Sequence, residues 1–208
     1  MPLITLDLPS PKSLRAGWAA FAAVCTARGW CDCAYATDRQ WYYHDGGGNW
    51  ACLRFQDEQH AVLVGHDHEY SETYFRDSAE YFQEEETDLL LDAPSWWGYD
   101  LDPKPFGEWI GFIYGWDGEK WQRSDYEKSD GFTSVGLIRV CTELDDLFEH
   151  AKDAPGLNRA DPNRECLKAL VDADTEISME MLESAIPGWN IEAGVAAAKK
   201  FGNAPVTA

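Results

Sequence analysis

The strongest periodic signal lies between residues 10 and 29, where Leu14, Trp18, Phe21, Ala22 and Cys25 recur at helical spacing. Ser10 stands where a helix cap is expected. Pro11 follows at the first helical position, where its missing N–H costs no hydrogen bond, and Gly29 can take the left-handed conformation that ends a helix. From Gln40 the pattern changes to short β-prone runs separated by turn residues: Trp41-Tyr-Tyr43, Asp45-Gly-Gly-Gly-Asn49, Trp50 to Phe55, Asp57-Glu-Gln59 and His60 to Val64. This predicts a three-strand antiparallel meander. Residues 71–91 read as a helix capped by Ser71, with Tyr74, Phe75, Ala79, Tyr81 and Phe82 as an aromatic stripe. Residues 108–116 and 119–123 read as a hairpin joined by a two-residue Asp117-Gly118 turn. A short strand over Gly136 to Val140 leads to a helix beginning near Thr142. Helical patterns over Pro162–Asp174, Ser178–Ile186 and Ile191–Phe201 complete the chain, with Pro187-Gly188 as a break and Asn190 as a cap.

These elements predict an α+β fold: a central antiparallel sheet of five or six strands, flanked by the N-terminal helix and a helical C-terminal third. The 208 residues, 45% of them hydrophobic, suffice for a single α+β domain over 1–208, with 142–208 as a candidate helical subdomain. No apolar run approaches the roughly 18–20 residues that span a bilayer, and the first residues lack a basic segment followed by a long apolar one. The expected location is therefore cytoplasmic, with most of the six cysteines reduced and packed. Cys31-Asp-Cys33 has neither Cys-x-x-Cys spacing nor a second close pair to complete a four-ligand metal site.

Charge narrows the partners. A formal charge of -20 repels phosphate backbones and anionic headgroups, which argues against nucleic-acid and membrane binding, while it either attracts a basic protein or serves solubility alone. Between Asp57 and Asp130, twenty acids stand against five bases, so three-quarters of the excess falls in about a third of the length. Half of the ten tryptophans lie in the same window.

Chemistry-bearing motifs are sparse. His66-Asp-His68-Glu69 places two imidazoles on one face of an extended segment, and a metal there needs further ligands from elsewhere. The segment resembles the first half of the metallo-β-lactamase His-x-His-x-Asp-His motif, but the Asp and His that complete the motif are missing. The preferred reading is structural, with these side chains bonding to backbone groups and capping the helix expected from Ser71. Asp45-Gly-Gly-Gly-Asn49 lacks the Lys-Ser/Thr of a phosphate loop and precedes a strand. Neither a Gly-x-Ser-x-Gly elbow nor a His-Glu-x-x-His motif occurs. No cofactor is implied, and binding is expected rather than catalysis. The alternative is a metal-dependent hydrolase or small-ligand-binding protein with its site at His66, His68 and Glu69.

The candidate recognition surface combines acids with loop aromatics: Glu84, Glu85, Glu86, Asp88, Trp96, Trp97, Tyr99, Asp100, Asp102, Trp116 and Trp121. Trp and Tyr anchor interfaces because each brings a large rigid area and one polar handle. The Pro, Gly and Asp neighbours of Trp96, Trp97 and Tyr99 place these three on an exposed loop, whereas Trp109 and Trp121 fit a second core equally well. In Asp45-Gly-Gly-Gly-Asn-Trp50, Gly65-His-Asp-His-Glu-Tyr-Ser-Glu-Thr-Tyr74 and Gly111-Phe-Ile-Tyr-Gly-Trp116, over roughly residues 40–125, the chain resembles the immunity proteins of bacterial polymorphic-toxin systems. The resemblance implies an inhibitor that covers a cognate basic toxin domain, with acids pairing to the rim of its cleft and aromatic anchors filling it.

Overall fold

The structure, a computed structural model, describes residues 3–98, 101 and 109–205. Its strands are β1 (Ile4–Leu6), β2 (Ala34–Ala36), β3 (Gln40–His44), β4 (Trp50–Phe55), β5 (Ala61–His66), β6 (Phe112–Trp116) and β7 (Trp121–Arg123). Its helices are α1 (Pro11–Arg28), α2 (Asp77–Phe82), α3 (Phe132–Val135), α4 (Leu137–Thr142), α5 (Asp145–Ala151), α6 (Arg164–Asp172), α7 (Met179–Ala185) and α8 (Ile191–Lys200). The α+β class holds, with an antiparallel sheet of seven strands in the order β1-β7-β6-β5-β4-β3-β2. The count exceeds the expected five or six because β1 and β2 are three residues each, too short to carry a readable alternation. The chain divides into two compact units, residues 3–10 with 44–136 and residues 11–43 with 137–205.

In the first unit, β4 and β5 pair over their full length, from Trp50 opposite His66 to Phe55 opposite Ala61. β6 returns antiparallel on the other side of β5, and β7 leads to β1 at the edge. Residues 61–65 of β5 are all buried, a continuous apolar run suited to a strand covered on both faces. The hairpin between β6 and β7 differs from the two-residue turn expected. Trp116 pairs with Trp121, leaving a four-residue loop closed by Asp117, whose Oδ1 accepts from the Glu119 and Lys120 N–H groups at 3.0 and 2.9 Å. Only Gly118 in this loop has positive φ.

Residues 71–91 depart furthest from expectation. Helix is confined to α2, because tertiary bonds claim the backbone on either side. Ser71 bridges Asp130, the Glu72 N–H donates to the Ser129 carbonyl at 2.7 Å, and the Thr87 N–H donates to the Tyr74 carbonyl at 2.7 Å. Arg76 and Gln83, at φ 53° and 57°, break the helix at its two ends.

In the second unit, α1 runs as the sequence predicts, with Ala19 through Cys25 continuously buried. Trp18, Trp41 and Phe201 form its aromatic centre, with ring centroids 5.5–6.3 Å apart, and the Trp18 indole donates to the Tyr42 carbonyl at 3.1 Å. Close approach to α1 depends on missing side chains. A Cβ on Gly17 would meet the Cys141 carbonyl of α4 at 1.9 Å, and one on Gly194 of α8 would meet the Ala23 carbonyl at 2.6 Å. Asn163, Ser178 and Asn190 cap α6, α7 and α8 through side-chain oxygens, the last where expected. The strand expected over Gly136 to Val140 is helical instead. Its β-branched composition suggested extension, but Leu137, Val140 and Cys141 stand at helical spacing and are buried together.

Candidate functional site

The acids of the expected recognition surface are exposed: Glu84, Glu85, Glu86 and Asp88 directly follow α2. Its aromatics divide differently. Trp97, expected on an exposed loop, is only 2% exposed. A single 3₁₀ turn, Ser95–Gly98, lays its indole against Gly115 of β6, where a strand glycine leaves the space. Trp121 is core as well, and its indole donates to the Pro9 carbonyl at 2.8 Å. Trp96 and Trp116 are half-buried, the first against His60 at 4.9 Å and the second against Trp121 at 5.5 Å. Tyr99, Asp100 and Asp102 lie outside the described residues.

A different set of aromatics reaches the surface. Tyr81 is 69% exposed and Phe82 47%. Their rings contact each other at 4.9 Å, and both contact half-buried Trp109 at 5.3 and 5.8 Å. Tyr74 extends the group against Phe82 at 5.6 Å. Adjacent residues on a helix point about 100° apart, so Tyr81, two positions on, lies across α2 from buried Ala79, whereas Phe82 is exposed although it stands three positions from Ala79 and four from buried Ser78. Glu80 and Glu84–Glu86 border the cluster in the chain, so apolar area and negative charge adjoin at the end of α2.

The His66–Glu69 segment closes a turn rather than capping a helix, and of its side chains Asp67 bonds to backbone groups. Asp67, 0% exposed, accepts from the Glu69 and Tyr70 N–H groups through Oδ1 at 2.9 and 2.6 Å. His68 faces Asn49, whose Oδ1 lies 3.0 Å from its backbone N and 2.9 Å from its ring Nδ1. His66 ends β5 half-buried, and burial lowers its pKa and favours neutral imidazole. The turn separates what extended geometry would have aligned, and His66, His68 and Glu69 do not gather their ligand atoms within 4.8 Å of one another. The Asp45–Asn49 loop is likewise self-bonded. The Asp45 carboxylate accepts from the Gly47 N–H at 2.6 Å and from the Asn49 backbone and side-chain nitrogens at 3.2 and 2.9 Å, so these donors are engaged within the turn.

One half-buried polar node stands apart from both. Asp130 Oδ2 accepts from the Tyr114 and Tyr126 hydroxyls at 2.6 and 2.7 Å, while Oδ1 accepts from the Phe132 N–H at 3.2 Å. Arg123 lies 4.0 Å over the Tyr126 ring. Among the described residues no helix is long and apolar enough to cross a membrane. In comparisons with known proteins, no family model, no curated protein and no solved structure matches the chain.

Proposed function

We propose that the chain is a binding protein that occludes a basic protein partner, in the manner of the immunity proteins that neutralise toxin domains. The observation that carries this reading is the exposed pair Tyr81 and Phe82, packed on half-buried Trp109, beside the acid run Glu84–Glu86. Exposed aromatics anchor an interface by area, and flanking acids speed the encounter with a positively charged surface. The hydrolase alternative has weaker support, since Asp67 and His68 are engaged within their own turn and with Asn49.

Affinity capture on the full chain at low salt is expected to recover one basic protein in a one-to-one complex. Association should slow as salt rises, because exposed charges are screened over about 8–10 Å at physiological ionic strength. Reversing Glu84 and Glu85 to lysine should slow association, and replacing Tyr81 and Phe82 with serine should speed dissociation. An association rate and salt dependence unchanged by the charge reversal would defeat the steering argument.

A further inference from the structure

The rings at the end of α2 leave one π face open. The Tyr81 ring plane stands 36° from that of Trp109 at 5.3 Å, so one face rests on the indole, and with 69% of the residue exposed the other turns to solvent. Phe82 meets both rings steeply, at 86° to Tyr81 and 67° to Trp109, and closes one side of the stack. Elsewhere the chain covers such faces with its own arginines: Arg28 lies 3.8 Å over Trp30, Arg123 4.0 Å over Tyr126, Arg164 4.7 Å over Phe148 and Arg76 4.8 Å over Phe75. Among the described residues no cation lies over Tyr81 or Phe82, and none forms an ion pair with Glu80, Glu84 or Glu85. Lys128 stops at the margin, its Nζ 5.8 Å from the Tyr74 ring and donating to the Glu85 carbonyl at 3.4 Å.

We infer that this face takes an arginine side chain of the basic partner, an inference that rests on the occlusion proposed above and names its anchor. A guanidinium is planar, weakly hydrated and always charged, so it extends the Trp109–Tyr81 stack as a third plate while its N–H groups remain available to carboxylates. Acceptors stand on both sides of the ring in the chain: Glu80 precedes Tyr81, and Glu84 and Glu85 follow α2, all three exposed. Lysine fits less well, because its compact ammonium is strongly hydrated and gives up more water to reach a ring. An apolar anchor would cover the ring but leave the neighbouring carboxylates without a counter-charge.

The test titrates the folded full-length chain at low salt with an end-blocked peptide of alternating alanine and arginine, followed through the backbone amide signals of residues 80–86 by heteronuclear NMR. Those signals should shift and saturate. The same peptide with citrulline, which keeps the shape of arginine without its charge, should bind about three- to tenfold more weakly, and the lysine peptide should fall between the two. Tyr81→Leu keeps the apolar bulk and every charge but removes the π face, and should erase most of the preference for arginine; Tyr81→Ser with Phe82→Ser should abolish the localised shifts. Arginine binding unchanged in Tyr81→Leu, equal affinity for the citrulline peptide, or unsaturated shifts spread over the acidic surface would overturn the inference. So would concentration-dependent shifts of the same signals without peptide, which would assign the face to a second copy of the chain. The two readings fail separately. An arginine peptide bound at Tyr81 with no basic protein captured sustains the arginine site and defeats occlusion, whereas a captured basic partner indifferent to Tyr81→Leu defeats the arginine site and leaves occlusion standing.

Discussion

Substituting Gly115→Ala tests the conclusion that Trp97 belongs to the core. A Cβ at this position of β6 would lie 2.1 Å from Cε2 and Nε1 of the Trp97 indole and 2.4 Å from Cζ2, more than an ångström inside ordinary van der Waals contact. The indole is a rigid bicycle held over the strand by a single 3₁₀ turn, so it cannot flex an end aside; either the strand and turn separate or the ring leaves its site. Separation is an overpacking strain of about 1–3 kcal/mol. Expulsion forfeits the burial of a tryptophan, about 3–5 kcal/mol by the usual large-to-small scale. Urea unfolding of Gly115→Ala should therefore show a loss of at least about 1 kcal/mol and at most about 5 kcal/mol. The same substitution placed in Trp97→Ala should cost far less, because the clash has no partner, and the coupling between the two positions should be about 1–3 kcal/mol. If Gly115→Ala unfolds at the native midpoint, or costs the same with and without the indole, the packing argument fails.

Asp130→Ala should destabilise by about 1–3 kcal/mol in urea, because it strands the hydroxyl of buried Tyr114 and frees that of half-buried Tyr126. Burial, followed by the Asp130 charge, raises the pKa of Tyr114 and of Tyr126 above the usual 10.0. Above about pH 10 the unfolded chain releases protons that the folded chain retains, so this contribution to stability is complete below that pH and declines as pH rises. Changing both tyrosines to phenylalanine should flatten the alkaline limb of the stability profile, and an unaltered limb would count against the node. Asp67→Ala should cost about 1–3 kcal/mol by releasing the Glu69 and Tyr70 N–H groups from their acceptor, read from the urea midpoint. Tyr81→Ser with Phe82→Ser should shift stability by less than about 1 kcal/mol, since both rings are largely outside the core; a larger loss would make the cluster a structural element rather than a recognition surface.

Residues 66–70 show why the candidate site was only partly legible. The sequence placed two imidazoles and two acids together, yet coordination depends on where the side chains point after the strand ends. The Asp67 turn sends His68 toward Asn49, a residue nineteen positions away. The acid run at Glu84–Glu86 was legible because charge needs no partner to reach solvent. Trp97 was misread for the opposite reason: Pro94 and Gly98 signal an irregular backbone, but whether an irregular segment lies on the surface is decided by the cavity opposite it, here the bare Gly115.

The sequence by itself determined the elements whose signals are complete within one stretch. α1 carries its proline start, apolar spacing and glycine stop; α7 and α8 carry their side-chain caps; β3, β4 and β5 carry β-prone runs between turn residues; and the acid excess is independent of folding. Tertiary structure decided what depends on distant competition for backbone groups and for space. Residues 71–76 carry a helix-cap serine and aromatics at helical spacing, but Ser129, Asp130, Gly111 and Thr87 take their hydrogen bonds and hold them out of the helix. The short strands β1 and β2 exist because β7 and β3 provide ladders for them. A local pattern states a preference of a few tenths of a kcal/mol per residue, and a set of buried long-range bonds, each worth about 1 kcal/mol, overrides it.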